Sequence, residues 1–142
     1  MARNKGQRAE RLVIGILQPV VTKVYIAAEI STILIPQLER NLMQSNKGGY
    51  DIAGLEWLAL EVKHQETLNL NSWWEQTLLQ SSKLTHKGKT KIPVLFYKQN
   101  NRAWKIRMYG YLDLGSRRVK CPADITLESF MVWFEERVKM EM

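Results

Sequence analysis

Asp51, Glu61 and Lys63 are the residues of this chain whose types and spacing could do chemistry. Two carboxylates can share a divalent cation, and a lysine two residues beyond the second one projects from the same side of an extended strand. Two short apolar runs carry them. Asp51 opens the first, Glu61 and Lys63 close the second, and Gly54 lies between, where a turn is expected. An antiparallel hairpin centred on Glu56 sets Asp51 directly opposite Glu61. Leu58, Leu60 and Val62 then turn to the other, apolar face. Such a cluster suits attack on a phosphodiester. A bound cation offsets the charge of the non-bridging oxygens, lowers the pKa of water and stabilises the leaving oxygen. Lys63 would orient the attacking water or stabilise the charged transition state.

The elements that must hold these groups can be read from periodicity. Leu12, Val13, Ile16 and Leu17 recur at helical spacing, with Glu10 near the start of that helix. Pro19 suits the opening of a new helical turn, so Val20 to Ile33 reads as a second helix, ended by Pro36. Gln37 to Ser45 reads as a strand leading into the loop Asn46–Gly49. After the hairpin, Ser72-x-x-Glu75 has the pattern of a capping box, opening a helix to about Lys83 with Gln76 and Gln80 on one face. Trp73 or Trp74 should be buried, and the tryptophans in general read as core rather than base-stacking residues. Thr85 to Lys91 reads as a basic loop. Ile92–Lys98 and Ala103–Leu112 read as strands, the second with Trp104, Ile106 and Met108 on a buried face and Lys105, Arg107 and Tyr109 on a wet one. Gly115–Pro122 reads as a loop. A last helix begins near Asp124 or Thr126, with Leu127, Phe130, Met131, Phe134 and Val138 as its apolar stripe.

Composition fits one globular domain over residues 1–142, with 45% hydrophobic and 25% charged residues. The single cysteine, Cys121, excludes an intrachain disulfide and a cysteine-based zinc cluster. Pro19, Lys23 and Glu29 interrupt the apolar residues 12–38, so no membrane span is expected, and a cytoplasmic location is, in a host cell if the source is viral. Net charge is +7, and Lys83 to Lys120 holds eleven Lys or Arg against one acid, Asp113. Interleaved with aromatics, that block predicts attraction to a polyanion such as DNA. Arg40, Lys83, Lys87, Lys89, Lys91, Arg102, Lys105 and Arg107 are the candidate phosphate contacts, setting affinity and its salt dependence rather than sequence preference.

Asp51 followed by Glu61-Val62-Lys63 resembles the active site of the PD-(D/E)XK nuclease superfamily, with Tyr50 where a proline often precedes the Asp. The opening Lys5-Gly6-Gln7-Arg8-Ala9-Glu10-Arg11-Leu12, and Arg40 to Ser45 before Gly48-Gly49, look like the corresponding segments of archaeal-type and phage Holliday-junction resolvases. The likeness runs from Lys5 to about Leu112. It implies an α/β fold with a restriction-endonuclease-like mixed β-sheet flanked by helices. It also implies Mg²⁺, with Mn²⁺ able to substitute, held by Asp51, Glu61, the Val62 carbonyl and Glu10, directly or through water. Gln76 or Gln80 would join the site. The substrate would be branched DNA, in recombination or replication, and a homodimer would supply paired cuts, with Val20–Leu34 or the last helix as its surface. Two alternatives stay open: a nuclease of the same fold acting on flap, mismatched or duplex DNA, and a basic nucleic-acid-binding module without catalysis.

Overall fold

The computed structural model describes residues 2–42, 50–83 and 85–142, with the side chains of residues 2–4 and 85 left aside. The expected loop Asn46–Gly49 and the end of the preceding strand lie outside the described residues.

Residues Ala2–Ala27 form one helix, α1, that runs through Pro19. The expected break there does not occur. Val13, Leu17, Val21 and Val24 recur on one side and are buried, so tertiary packing holds the helix together across the proline. Pro19 and Gly15 are both exposed, and the carbonyl that loses its i+4 partner can meet water. The helix stops at Ala27 rather than Ile33. Glu29 takes a positive φ of 59°, and only a short 3₁₀ turn, Thr32–Leu34, follows.

The chain then builds β1 (Glu39–Arg40), β2 (Ile52–Ala53) and β3 (Leu58–His64), crosses over through α2 (Leu70–Ser82), and passes a small ribbon of β4 (Thr85–His86) and β5 (Lys89–Thr90). It continues through β6 (Ile92–Lys98), β7 (Lys105–Asp113) and β8 (Arg118–Thr126) to α3 (Leu127–Glu141). The main sheet has six strands in the order β1-β2-β3-β6-β7-β8. β3 and β6 are parallel, and the other neighbours are antiparallel. This is a mixed α/β fold with helices on both faces.

Residue parity on the strands decides each layer. Leu58, Leu60 and Val62 of β3, Val94 and Phe96 of β6 and Ile106 of β7 face α1 and α3, where Phe130, Phe134 and Val138 complete the core. On the opposite face, Leu95 and Tyr97 pack with Trp73 and Trp74 of α2, both buried as expected.

Three further expectations change. α2 begins at Leu70, with Asn69 as N-cap and no side-chain capping bond, so Ser72 lies inside the helix and the capping box does not form. The Trp73 N–H already bonds the Asn69 carbonyl, 3.0 Å away, and backbone closure one turn earlier leaves Ser72 nothing to cap. The basic loop Thr85–Lys91 contains a ribbon with Lys87 and Gly88 at positive φ in its turn. The expected loop at Gly115–Pro122 is largely strand. β8 pairs with β7 along nine residues, and Pro122 is accommodated because β8 lies at the sheet edge.

Candidate active site at the end of strand β3

The hairpin sets the site. Ile52 pairs with Leu60, and that register, continued by one residue, puts Asp51 opposite Glu61. Two bonds fix it: the Asp51 N–H donates to the Leu60 carbonyl at 2.8 Å, and the Val62 N–H donates to Asp51 Oδ2 at 2.7 Å. Gly54 makes the return possible. Its φ is +128°, and a Cβ there would stand 2.7 Å from the Gln37 carbonyl oxygen. The strand parity of β3 turns Glu61 and Lys63 to the α2 side while Leu60 and Val62 stay in the core.

Asp51 is 9% exposed and Glu61 3%. Burial raises the Asp51 carboxyl, opposed by the Val62 N–H, and the negative Glu10 raises it further. Burial also pushes Glu61 up to about 9, with the neighbouring Asp51 charge adding to it and Lys63 working against it. Protonated Glu61 hydrogen-bonds Asp51, leaving its Oε1 buried without a partner. Two carboxyl groups share a buried site, and a cation would relieve their mutual repulsion.

A cleft of about 1000 Å³ opens here, lined by Asp51, Val62, Lys63 and His64 and by Lys5, Arg8 and Glu10 of α1. The structure therefore brings Glu10, Asp51, Val62 and Lys63 of the expected set to one cleft, with Glu61 beneath against Asp51. The Val62 N–H faces Asp51, and strand alternation turns its carbonyl to the same side, away from β6. The donors that could hold Mg²⁺ are thus Asp51, Glu61 and that carbonyl, a set of the kind Mg²⁺ takes while keeping several waters. Among the described residues no three His, Cys, Asp or Glu side chains form a closed metal cluster. Glu10 is held by an ion pair to Arg40, Oε1 to Nε 2.7 Å, which fits a role through water better than direct ligation.

Other expected contacts sit differently. Arg40 is engaged by Glu10 and is not a free phosphate ligand. Arg107 grips Asp124 with two bonds, of 2.9 and 2.8 Å, and Tyr97 Oη donates to the same carboxylate at 2.7 Å, so Arg107 belongs to a closed network. Lys91 is only 8% exposed, its ammonium 4.8 Å from the Tyr50 ring centre. Lys83, Lys87, Lys89, Arg102 and Lys105 are exposed as a polyanion contact requires. Gln76 is exposed on α2 and does not line the cleft. His64 follows Lys63 on the opposite strand face, with its ring 6.2 Å from Trp104, yet lines the cleft because the strand ends there. Burial lowers its pKa, and the positive Lys5 and Lys98 lower it further.

Lys5 and Arg8 were not among the expected phosphate contacts. Their i, i+3 spacing, which puts both on one face of α1, was the available signal. Compared with protein-family models, with curated proteins and with solved structures, the chain matches none.

Proposed function

We propose that this protein is a Mg²⁺-dependent DNA endonuclease of the PD-(D/E)XK kind, with a restriction-endonuclease-like fold, acting on branched DNA such as a four-way junction. The observation that carries this reading is the buried Asp51–Glu61 pair, with Lys63 beside it, at a cleft whose rim bears Lys5 and Arg8. When bound, Mg²⁺ would supply charge neutralisation at the phosphodiester and water of lowered pKa. The residues do the rest. Asp51, Glu61 and the Val62 carbonyl hold the ion. Lys63 orients the attacking water and offsets charge in the transition state. Lys5 and Arg8 draw the scissile phosphate inward, and the exposed lysines of residues 83–105 hold flanking backbone. Mn²⁺ should substitute.

A four-way junction has two-fold symmetry, so a homodimer with two sites would cut it in pairs. Ile26, Ile33 and Leu34 expose apolar surface that supports such a contact in the region after Val20. No helix among the described residues is long and apolar enough to cross a membrane.

The test is cleavage of a labelled four-way junction, with flap and duplex DNA at equal salt, in Mg²⁺, Mn²⁺ or EDTA. Wild type should make paired cuts that EDTA abolishes, and Glu61→Ala should lose on the order of 1000-fold in rate. Cuts indifferent to Glu61 would exclude this site. Binding without cuts in either metal would leave a binding module. A preference for flap or duplex would keep the chemistry and change the substrate.

A further inference from the structure

β6 and β7 pair only from Leu95 with Arg107 to Tyr97 with Lys105, whereas β7 and β8 pair along their full length. The outer half of the β7–β8 ribbon therefore splays away from the start of β6. The gap is a cleft of about 590 Å³. Lys89 and Lys91 line one wall, Tyr109, Tyr111 and Lys120 the ribbon wall, and Arg137 of α3 the floor. No Asp or Glu is among its lining residues.

None of these cations meets a carboxylate of the cleft lining, and one of them is incompletely satisfied by the protein. Lys91 is buried to 8% exposure and forms no ion pair among the described residues, only the ring contact with Tyr50. The Arg137 Nε is buried with no acceptor, although another nitrogen of its guanidinium meets Glu141 at 2.9 Å. Burying a cationic donor without an acceptor is unfavourable unless an anion completes it, and the Arg137 Nε is such a donor. Lys120 lies 4.2 Å over the Tyr109 ring, and Tyr111, 63% exposed, leaves a ring face open to a sugar or base.

We propose that this cleft is a second phosphate-binding site, which holds the backbone of a nucleic-acid substrate away from the acidic cleft. The inference rests on the nucleic-acid reading of that cleft. β3 and β6 run parallel, the acidic cleft lies at their C-terminal end, and this one opens at the N-terminal end of β6. Strand rise alone separates the two by roughly 20 Å, about the span of six base steps.

The test reads binding, not cleavage. The affinity of the full chain for labelled duplex DNA is measured by anisotropy in EDTA over a range of salt, for wild type, Lys89→Ala, Lys120→Ala and, as a control outside the cleft, Lys23→Ala. Each cleft variant should weaken binding and reduce the slope of log affinity against log salt by about 0.9, the loss of one phosphate contact, while Lys23→Ala leaves the slope unchanged. Both substituted cleft lysines sit at accessible positions, and melting curves of the variants check that they fold. Unchanged slopes in both cleft variants, or no DNA binding by wild type at low salt, would overturn the proposal. Displacement of the DNA by a micromolar mononucleotide would assign the cleft to a free nucleotide and overturn it too. Reduced slopes together with no cleavage in Mg²⁺ would retain the cleft and remove the nuclease reading.

Discussion

Two carboxylate centres share the α2 side of the sheet, and they are opposites. Asp124 is closed: Arg107 gives it two bonds, Tyr97 a third, and those partners hold its carboxyl below the ordinary range despite the burial that would raise it. Asp51 and Glu61 are more deeply buried, face each other rather than a guanidinium, and are both raised. A protein that only needed stability would build the first arrangement twice. The second keeps an electrostatic cost in a cleft, which supports the proposed reading of a site for a charged ligand.

The largest expected difference between the centres is in their response to pH. Glu61 holds its proton up to about 9 when folded, against 4.5 as its ordinary value. Its contribution to stability is therefore fully present below 4.5 and is lost as pH rises toward 9, because the folded state binds the extra proton across that window. Asp51 acts in the same direction. Asp124 acts oppositely, adding stability above 3.8 that is lost as pH falls through its depressed value. Thermal melts in EDTA should show wild type losing stability between 4.5 and 9 relative to Glu61→Gln, and Mg²⁺ should reverse part of that loss. Parallel curves for the two proteins would erase the difference between the two centres.

Gly54→Ala should come next. It strains a left-handed backbone and drives a Cβ into the Gln37 carbonyl, so urea denaturation should show a loss of about 2 to 3 kcal/mol. Because the turn sets the register, cleavage should fall further than stability explains, while the Asp124 network, built on β6, β7 and β8, stays intact. The smallest effect belongs to Asp124→Asn. Its partly exposed ion pair should yield about 1 to 2 kcal/mol of lost stability with cleavage unchanged. Loss of cleavage there would mean the closed centre also serves the reaction.

What was legible in the chain follows physical range. The Asp51–Glu61 register depends on one turn and a period of two, both local, and strands β3, β6 and β7 are readable for the same reason. The continuity of α1 through Pro19 is not legible locally, because it depends on buried valines meeting the sheet. β8 is not legible locally, because Pro122 and alternating polar residues suit only a strand at an edge, and edge position is a property of topology. Arg40 and Lys91 look like free cations in sequence. Their engagement with Glu10, thirty residues away, and with the Tyr50 ring exists only after folding.

The bond from the Val62 N–H to Asp51 Oδ2 has one more consequence. It couples a main-chain amide in the middle of β3 to the charge of the pair. Proton loss, or the arrival of a cation, changes the acceptor that this amide sees, so the ¹H–¹⁵N resonance of Val62 is a native reporter of the state of the site. The protein carries its own indicator, with no label to add and no residue to replace.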